Sequence, residues 1–551
     1  MPPLMGLPLT CPVVRRVELD GLPPSEVASR LRHLDGLVFF DTAGNRPSNA
    51  ERPVSVIAAR PTELVQGNMG STEDRRRLRE ILNAHSQPTT DRGFPLGGLC
   101  GWVGYGGEFT FGVFPEMLVH LHDSGEWWEI GRLSEELRDP VGERFDIGAF
   151  VAGTTREAYL ESVRRVQDWI AAGDIYQVNL SQSYVAPVHG GSLFPLYEQL
   201  REATPAPMAA WMSLGGKEVL SSSPELFLKL SGRGIETRPI KGTRPRFPDR
   251  DDDLRSAYEL QTSSKEIAEL VMITDLLRND LGQVCEFGSV KVAEMLKLET
   301  LEQVHHLVST VIGTLREDVD AIEALAACFP GGSITGAPKK RAMEIIDELE
   351  TRSRGLYCGA LGWLGFNGES QFNIAIRTLV RDGDTLTYDV GGGIVADSDP
   401  QKEYEETLHK AAGIKLAIEP LHPMYAGDRC AVASMRDANQ LCDRISHPLV
   451  GVAVDVFHVW WESDLEAQIR QCAAKQRLFA FHVCEFKPDF DHVLLDRGLP
   501  GEGANASKRI SDLVHASGFN GPTEVEIFSR KYWSENQHAF LEKIAASCAE
   551  L

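Results

Sequence analysis

The sequence lacks any apolar run long enough to cross a bilayer, and its opening residues, MPPLMGLPLTCPVVRR, contain no long apolar stretch before a cleavage site. Because a membrane helix needs about 20 apolar residues, we expect neither a transmembrane segment nor a signal peptide. The ten cysteines are scattered, without a CxxC pair. Disulfide frameworks and zinc sites both use regular cysteine spacing, so we expect reduced thiols and a cytoplasmic protein.

Positive charge is in deficit: 56 lysines and arginines stand against 79 aspartates and glutamates, giving a formal net charge of −23. This balance argues against binding to nucleic acid or to an anionic membrane, although an acidic protein can still hold a basic pocket for an anionic substrate. The 551 residues exceed what one hydrophobic core needs. We therefore expect two or more domains.

One lysine, Lys241, lies in the segment Arg238–Arg246 among apolar residues, a glycine and three arginines. A lysine held away from water has a lowered pKa and can act as a nucleophile or a base. The planar arginine side chains suit carboxylates. The alternative is a basic surface turn.

A carboxylate, Glu225, follows a serine and proline turn in VLSSSPELFL and leads into an apolar run. Partial burial would raise its pKa and suit a general acid. The alternative is a carboxylate that caps a turn or lies on a strand edge.

Two predicted helices each carry a pair of glutamates three residues apart, which places each pair on one helical face. The pairs are Glu266 and Glu269 in Ser264–Leu277, and Glu403 and Glu406 in Pro400–Lys410. Such pairs could be solvated, or they could supply the hard oxygen ligands that Mg²⁺ prefers.

Other polar residues lie on predicted strands or in a glycine-rich loop. The stretch Phe329–Glu350 joins a Gly/Ser/Thr loop to a long helix, whose N-terminus with the loop amides would make an anion site. The run VHHLVS predicts a strand on which one of His305 and His306 points inward. Gln177 begins an alternating strand that lines a pocket or faces solvent.

Together these segments resemble the chorismate-utilising enzymes over residues from about 30 to 415. That family includes anthranilate synthase component I, aminodeoxychorismate synthase component I, and the isochorismate and salicylate synthases. The motifs that carry the resemblance are GDIYQVNLSQ, SSSPELFL, PIKGTRPR, AELVMITDLLRNDLG, VHHLVS, FPGGSITGAPKKRAMEIIDELE, RGLYCGALG, IAIRT, GGGIVADSDP and EYEETLHKA.

Two positions separate the subfamilies. The lysine of PIKGT, Lys241, is typical of aminodeoxychorismate synthase component I, whereas anthranilate synthase has alanine there. Gln177 stands where isochorismate and salicylate synthases carry a lysine that activates water. The resemblance therefore implies amination of chorismate to 4-amino-4-deoxychorismate in para-aminobenzoate and folate biosynthesis, with anthranilate synthase component I as the alternative. A scaffold that only binds an amidotransferase is a further alternative, which the intact Lys241 and Glu225 disfavour.

The resemblance also implies the site residues and the cofactor, Mg²⁺. The implied catalytic residues are Lys241, Glu225 and His306. The implied substrate-binding residues are Thr335, Tyr357, Arg377, Gly391, Gly393 and Gln177. The implied Mg²⁺ ligands are Glu269 and Glu406, with Glu266 and Glu403 beside them.

The implied fold for residues 1–415 is an α/β (α+β) sandwich of two twisted antiparallel sheets with helices outside. Ammonia would come from a glutamine amidotransferase, and because the sequence shows no cysteine-nucleophile elbow of that class, we expect it as a separate chain. Leu37–Ala43 reads LVFFDTA where tryptophan-inhibited relatives have LLES. Inhibition by tryptophan is therefore not expected from the sequence.

Residues 416–551 add predicted strands that alternate with helical patterns, which indicates parallel βα units. Several strands end near an ionisable residue, as expected for a metal site at one face of a (β/α) barrel. The predicted strands are Lys415–Leu421, Val450–Trp461, Leu478–Phe486 and Thr523–Phe528.

This tail resembles the second half of the xylose-isomerase-like sugar phosphate isomerases and epimerases. The resemblance implies His458 and Arg497 near the substrate, and a second divalent metal, Mn²⁺ or Zn²⁺. The implied metal ligands are Glu419, Asp455, His482 and Glu526. Because four of eight βα units are recognisable, the half barrel would need a partner half. The alternatives are a metal-dependent isomerase or epimerase and an inactive remnant.

Overall fold

The structure is a computed structural model, which describes residues 13–548 except 20, 44–52, 90–91, 141–144, 149, 248–249, 302–303, 412–415, 426–429, 446–449, 488–491, 493–494, 504–505 and 520–522. The chain divides into two compact units, Met1–Lys410 and Ala411–Leu551. The domain boundary predicted after residue 415 adjoins residues 412–415, which lie outside the described residues.

The first unit is built mainly of antiparallel strands. They are β1 (Val14–Val17), β2 (Val38–Asp41), β3 (Val54–Ala58), β4 (Leu64–Asn68), β5 (Gly98–Val103), β6 (Glu108–Phe114), β7 (Met117–Leu121), β8 (Glu126–Ile130), β9 (Asp146–Ile147), β10 (Val151–Ala152), β11 (Gln177–Gly190), β12 (Met208–Leu214), β13 (Lys217–Ser223), β14 (Leu226–Ser231), β15 (Gly234–Arg238), β16 (Ile240–Pro245), β17 (Lys291–Thr300), β18 (Val304–Thr314), β19 (Gly336–Ala337), β20 (Ala360–Gly365), β21 (Glu369–Ile374), β22 (Thr378–Asp382) and β23 (Thr385–Ile394).

Helices connect these strands. They are α1 (Pro24–Leu31), α2 (Thr72–Ala84), α3 (Arg156–Ala172), α4 (Phe194–Ala203), α5 (Arg250–Thr262), α6 (Ser264–Gly282), α7 (Ala321–Cys328), α8 (Lys339–Leu349) and α9 (Pro400–Ala411), with short 3₁₀ turns at Leu133–Glu136 and Gly332–Ile334.

Within the described residues, the strands form two sheets. The first sheet has thirteen strands, with the order β1-β8-β7-β3-β2-β12-β13-β22-β23-β11-β10 and with β9 and β19 also paired to β11. The second has ten, with the order β16-β18-β15-β14-β21-β20-β5-β6-β4 and with β17 paired to β18. The predicted two-sheet fold is confirmed.

The hydrophobic core lies between the two sheets. One buried cluster joins Val178 and Leu180 of the first sheet to Leu228 and Phe372 of the second. Another contains Phe40 of β2, whose ring packs edge-on against Trp363 of β20 at 5.0 Å between centroids. Aromatic pairs of this geometry add about 0.5–1.5 kcal/mol beyond the area they bury. This packing fixes the two sheets face to face.

The strand register shows which predicted site residues lie opposite one another in each sheet. In the first sheet, Asn179 lies opposite Gly393 and Ser181 lies opposite Gly391. In the second sheet, Thr243 lies opposite His306, with a register shift between Lys241 and Thr243. Gly242 occupies that shift with φ +72°, a left-handed conformation that favours glycine.

The second unit contains four parallel strands within the described residues. They are β24 (Leu416–Ile418), β25 (Val450–Asp455), β26 (Leu478–Val483) and β27 (Thr523–Val525), hydrogen-bonded in chain order. Its helices are α10 (Met435–Ile445), α11 (Val456–Val459), α12 (Leu465–Ala474), α13 (Ala506–Ala516), α14 (Arg530–Trp533) and α15 (Gln537–Cys548), with a 3₁₀ turn at Pro423–Tyr425. The parallel strands agree with the predicted partial (β/α) barrel.

All four predicted strands of the tail extend past the observed strand ends, and the second differs most. The sequence predicts a strand over Val450–Trp461, but β25 ends at Asp455 and the next four residues form α11. The Asp455 side chain accepts a hydrogen bond from the Phe457 backbone N–H at 2.8 Å, and so caps the new helix. His458 consequently lies on this helix.

We expect Gly242→Ala to destabilise the protein by about 1–3 kcal/mol more than Gly232→Ala. Both substitutions strain the backbone, but only the one at 242 also overpacks its surroundings. Both glycines have positive φ, but a Cβ at Gly242 would lie 2.6 Å from Leu260 Cδ1, whereas one at Gly232 would meet nothing within 4 Å. Urea unfolding of both variants measures the difference. Equal losses would contradict the steric argument.

Candidate functional site

The Lys241 amine lies where the two sheets bring polar side chains together. Its Nζ is 3.3 Å from Glu269 Oε2 of α6, and its side chain is 21% exposed. A Cβ built on Gly393 would lie 3.5 Å from Lys241 Nζ and 2.1 Å from Gln177 Nε2. A side chain at 393 would displace the Gln177 amide, and the lysine and the glutamine of the two sheets meet at this glycine.

Glu225 is buried in the turn between β13 and β14, with 5% of its surface exposed. Burial raises the pKa of Glu225 to about 7, while a hydrogen bond with Ser333 and the charge of Lys241 act in the opposite direction. A carboxylic acid with this pKa holds its proton over much of the neutral range. The geometry therefore suits a proton donor close to the amine.

The four predicted metal ligands have different environments. Burial, and then the charge of Glu269, raise the pKa of Glu266. Burial also raises the pKa of Glu403, which accepts a hydrogen bond from the Ser398 hydroxyl at 2.7 Å. Burial would raise the pKa of Glu406, but the nearby Lys410 ammonium holds it below its usual value. The two glutamates of α9 therefore differ in exposure: Glu403 is buried and Glu406 is half-exposed.

The two helices direct these carboxylates toward glycines of the strands. A Cβ on Gly392 would lie 3.4 Å from Glu403 Oε2 and 3.7 Å from Glu406 Oε1. A Cβ on Gly242 would lie 3.1 Å from Glu266 Oε2. The charge of Lys241 partly offsets the raised pKa of Glu266 on α6 and adds to the effect of Lys410 on Glu406 of α9, so carboxylates of both helices lie within its electrostatic range.

Among the described residues, the group of three or more ligand side chains whose ligand atoms all lie within 4.8 Å of one another is in the tail. The four carboxylates of the first unit do not form such a compact cluster. Lys241 pairs with Glu269, and Lys410 Nζ lies 2.7 Å from Glu406 Oε1. The donor set is nonetheless one of hard oxygens on two facing helices, which fits Mg²⁺.

Both histidines of the VHHLVS strand are buried, each in a different environment. His306 Nδ1 lies 3.0 Å from the Thr243 hydroxyl and 3.3 Å from the Gly242 carbonyl. Burial, and then the charge of Arg377, lower the pKa of His306 to about 4. Its Nε2 is buried without a hydrogen-bond partner in the described part of the chain. His306 is therefore a neutral imidazole with one free ring nitrogen.

His305 has a structural environment instead. Its ring nitrogens lie 2.9 Å from Asp253 Oδ1 and 3.0 Å from the Thr300 hydroxyl. Both imidazole nitrogens are occupied, and the side chain is only 4% exposed. This histidine therefore ties β18 to α5 and β17.

The predicted substrate-binding residues surround the same region, although each is held differently. The Arg377 residue has φ +50°, and burial lowers the pKa of its guanidinium. Tyr357 is 5% exposed. The Thr335 hydroxyl donates to the carbonyls of Gly331 and Gly332, at 3.2 and 3.3 Å, so it already has acceptors within its own loop.

Gln177 and Thr335 line a small cavity together with Ser333 and Asn179. Gln177 Oε1 is buried and has no hydrogen-bond partner among the residues the structure describes. Lys410 Nζ donates to the Gly391 carbonyl at 2.9 Å. The cavity thus offers a buried amide oxygen beside the glycine-rich loop.

Sequence reasoning missed three side chains that act on this site. Ser333 hydrogen-bonds Glu225, and Thr243 hydrogen-bonds His306. The charge of Lys265 acts to lower the pKa values of Glu266, Glu403 and Glu406. Thr243 could have been found from its register opposite the histidine strand. The other two contacts join segments far apart in sequence.

The tail holds a compact cluster of the four predicted ligands. The ligand atoms of Glu419, Asp455, His482 and Glu526 all lie within 4.8 Å of one another. Asp455 is fully buried, and burial raises its pKa. The hydrogen bond with Glu419 raises the pKa of His482 to about 9. This set of three carboxylates and one imidazole is of the type that binds divalent metals.

Arg497 joins this cluster to His458. Its Nη1 lies 3.2 Å from Asp455 Oδ2 and 2.9 Å from Glu526 Oε2, and its Nη2 is 3.3 Å from His458 Nε2. The guanidinium also stacks between two rings, 4.3 Å from Phe457 and 4.8 Å from Phe528. It therefore balances the negative charge of two of the four predicted ligands.

Within the described residues, no helix has the length and apolar character needed to cross a membrane.

Comparison with known proteins gives a match for each unit. A sequence model of the chorismate binding enzymes matches residues 118–415, and one of the xylose isomerase-like TIM barrels matches residues 402–546. Among solved structures, anthranilate synthase component I from Streptococcus pneumoniae is 28% identical with a TM-score of 0.58, over 67% of this chain and 93% of the other. These matches agree with the two-sheet fold and with the parallel strands of the tail.

Curated relatives carry two names. Aminodeoxychorismate synthase component 1 of Salmonella typhimurium is 40% identical over 63% of this chain and 80% of its own length. The Escherichia coli protein of the same name is 48% identical over 48% of this chain and 58% of its own length. Anthranilate synthase component 1 of Thermus thermophilus is 46% identical over 53% and 63%. The chain thus spans less than two thirds of the last two relatives, and by the match over residues 118–415 it belongs to the family of chorismate binding enzymes.

Proposed function

We propose that the first unit aminates chorismate at C4 to give 4-amino-4-deoxychorismate, with Mg²⁺ and with ammonia from a separate glutamine amidotransferase. The observation that carries this proposal is the Lys241 amine, held 3.3 Å from Glu269 beside a buried Glu225. Relatives of both names resemble the chain, so anthranilate synthesis is the alternative. An amine at position 241 favours amination because it provides a nucleophile.

Covalent catalysis requires a neutral amine and an acid for the leaving group. The Lys241 amine loses its proton, for which Glu269 at 3.3 Å is the placed acceptor. The amine then forms a bond to C2 of chorismate while both ring double bonds shift and the C4–O bond breaks. Glu225 donates the proton with which the 4-hydroxyl leaves as water. The raised pKa of Glu225 supplies this proton near neutral pH.

Ammonia completes the exchange by forming a bond at C4 while the C2–N bond to Lys241 breaks. The electron pair shifts back through the ring, and the lysine leaves as an amine. The neutral His306, with its free Nε2, faces this region and would assist. The proton that the entering nitrogen loses goes to the departing lysine nitrogen, so the complete cycle regenerates the Lys241 amine.

Binding of the two chorismate carboxylates is divided between the metal and cationic groups. Glu269 and Glu406, with Glu266 and Glu403 beside them, would hold Mg²⁺, which supplies positive charge to the ring carboxylate. Arg377 and Tyr357 would bind the enolpyruvyl carboxylate, with Thr335 and the amides of Gly391 and Gly393 nearby. Gln177, in place of a water-activating lysine, favours amination over hydroxylation.

Product identification tests the proposal. The pure chain is incubated with chorismate, Mg²⁺ and excess ammonium near neutral pH, and the products are analysed by mass spectrometry. We expect aminodeoxychorismate, which retains the enolpyruvyl group. Anthranilate with pyruvate would instead assign the alternative activity.

We expect Lys241→Ala to lower the rate of amination at least 100-fold without weakening Mg²⁺ binding, because the lysine is a nucleophile and not a metal ligand. Removal of its ammonium also frees Glu269 from the ion pair. Lys297→Ala, which removes a lysine paired with Glu294 at 2.7 Å, is the matched control and should keep full activity. Unchanged turnover in Lys241→Ala would remove the lysine from the mechanism.

We expect amination to decline as pH rises through about 7, because Glu225 with a pKa of about 7 then loses the proton it must donate. Glu225→Gln should be at least 100-fold slower and should lack this limb of the pH profile. A wild-type profile without a limb near pH 7 would exclude Glu225 as the acid.

Stability should show the same titration with a defined sign. The pKa of Glu225 is raised from 4.5 to about 7 by folding, so the folded state binds the proton more tightly. Relative to Glu225→Gln, the wild type should lose on the order of 3 kcal/mol of stability as pH rises from about 4.5 to about 7. Urea unfolding at several pH values measures this difference, and a constant difference would contradict the buried titration.

A second activity is favoured by the compact cluster in the tail. We propose that Glu419, Asp455, His482 and Glu526 bind a divalent metal, Mn²⁺ or Zn²⁺, with His458 and Arg497 near a sugar-like substrate. The described part of the tail has four parallel strands, whereas a complete barrel has eight. Isomerase or epimerase activity would therefore need a partner half, and an inactive remnant is the alternative.

Metal titration of the full chain tests this site. We expect calorimetry with Zn²⁺ to show one more tight site in the wild type than in Asp455→Asn, because the variant removes a buried anionic ligand. Glu466→Gln, which alters an exposed glutamate paired with Arg470, should behave like the wild type. Equal stoichiometry in all three proteins would leave the cluster without a metal.

A further inference from the structure

The Arg354 guanidinium is buried at the junction of several segments, and its side chain is only 2% exposed. Its Nε donates to Glu350 Oε2 at 2.9 Å, and its Nη2 donates to Glu350 Oε1 at 2.7 Å. Nη1 donates to the Ile334 carbonyl at 3.0 Å, and Nη2 also donates to the Asn179 carbonyl at 2.6 Å. One side chain thus connects a helix end, a loop and a strand.

The loop and the strand each carry a predicted substrate-binding residue. Ile334 immediately precedes Thr335, and Asn179 lies two residues after Gln177 on β11. The Asn179 side chain reinforces this junction, since its Nδ2 donates to the Ile334 carbonyl at 3.2 Å. The spacing between loop and strand is therefore set by hydrogen bonds that converge on Ile334.

The guanidinium also packs against aromatic rings. Its central carbon lies 5.7 Å from the centre of the Tyr357 ring and 4.7 Å from that of Tyr105. The Tyr357 backbone N–H donates to the Arg354 carbonyl at 3.0 Å. The same arginine therefore fixes the backbone and the ring position of a third predicted substrate-binding residue.

Glu350 extends the network to the glycine strand. Its Oε1 accepts from both the backbone N–H and the hydroxyl of Ser181, at 2.9 and 2.8 Å. Ser181 lies opposite Gly391 in the β11–β23 register. Because Glu350 caps the end of α8, the helix that follows the glycine-rich loop is held to the strand pair as well.

We propose that Arg354 is a positioning residue for chorismate, which fixes Thr335, Gln177 and Tyr357 relative to one another without itself contacting the substrate. This proposal rests on the proposed function of the first unit. The planar guanidinium suits the role because it donates to four acceptors in fixed directions, which a lysine ammonium does not reproduce. Loss of the guanidinium would leave the buried carbonyls of Ile334 and Asn179 without the N–H groups it donates.

A simple substitution would mix positioning with stability. Arg354→Met alone leaves the Glu350 carboxylate buried without its cation, which strongly destabilises proteins. The double variant Arg354→Met/Glu350→Gln removes both charges, and apolar or neutral replacement of a buried ion pair is often nearly neutral in stability. The double variant therefore separates the effect on substrate positioning from the effect of an unpaired buried charge on stability.

The experiment compares wild type, Arg354→Met, the double variant and Arg354→Lys in the full chain, with ammonium as nitrogen donor. We expect the double variant to recover part of the melting temperature lost in Arg354→Met, because it removes the unpaired buried charge but not the loss of donors to the two carbonyls. Its KM for chorismate should still be raised at least 30-fold, with the KM for ammonium within two-fold of the wild-type value. Arg354→Lys should remain at least 10-fold impaired in KM for chorismate. A double variant that recovers its KM for chorismate together with its melting temperature would overturn the proposal.

Arg201→Lys provides the matched control. Arg201 pairs with the buried Asp41 elsewhere in the first unit, so its substitution should lower the melting temperature without changing the KM for chorismate. An equal rise in KM in this control would show that loss of any such ion pair weakens binding, and would also overturn the proposal.

Calorimetric binding of chorismate with Mg²⁺ distinguishes failure of this inference from failure of the proposed function. If the wild type binds chorismate but makes another product, the amination proposal fails while the variants still report on positioning. If wild type and double variant bind chorismate equally, Arg354 does not position the substrate, whatever the product.

Discussion

The ion pair between Lys241 and Glu269 is the interaction on which the site depends. It links β16, at the edge of the second sheet, to α6, which carries two of the four predicted metal ligands. Because the register shift at Gly242 turns the lysine toward this helix, the amine and the carboxylates share one region. A charged amine in such a place must be balanced, and the acidic helices provide that balance.

Burial and neighbouring charges give the carboxylates of this region different pKa values. Glu225 has a raised pKa because it lies in the core between strands, whereas Glu406 stays ionised beside Lys410. Two groups of the same chemical type can therefore serve as proton donor and as anionic ligand in one site. His306 is kept neutral by the same desolvation, which leaves a free ring nitrogen without adding charge.

The Arg354–Glu350 network shows how a buried ion pair can specify geometry. It spans the loop before Thr335, strand β11 and the segment of Tyr357, which lie far apart in the sequence. A buried pair of this type contributes little net stability when compared with well-packed apolar groups. The hydrogen bonds of this pair set the spacing of the loop and the strand that carry predicted substrate-binding residues.

The sequence by itself determined the two-sheet class through its family motifs, and the two helices that carry the glutamate pairs through their periodicity. It did not predict that Lys241 lies on a strand, β16. It could not show that both histidines are buried, that β25 ends at Asp455, or that Ser333 reaches Glu225. Those facts depend on which segments meet across the sandwich. Only the tertiary structure decides this, since pKa values and hydrogen-bond partners arise from burial and from contacts between residues distant in the chain.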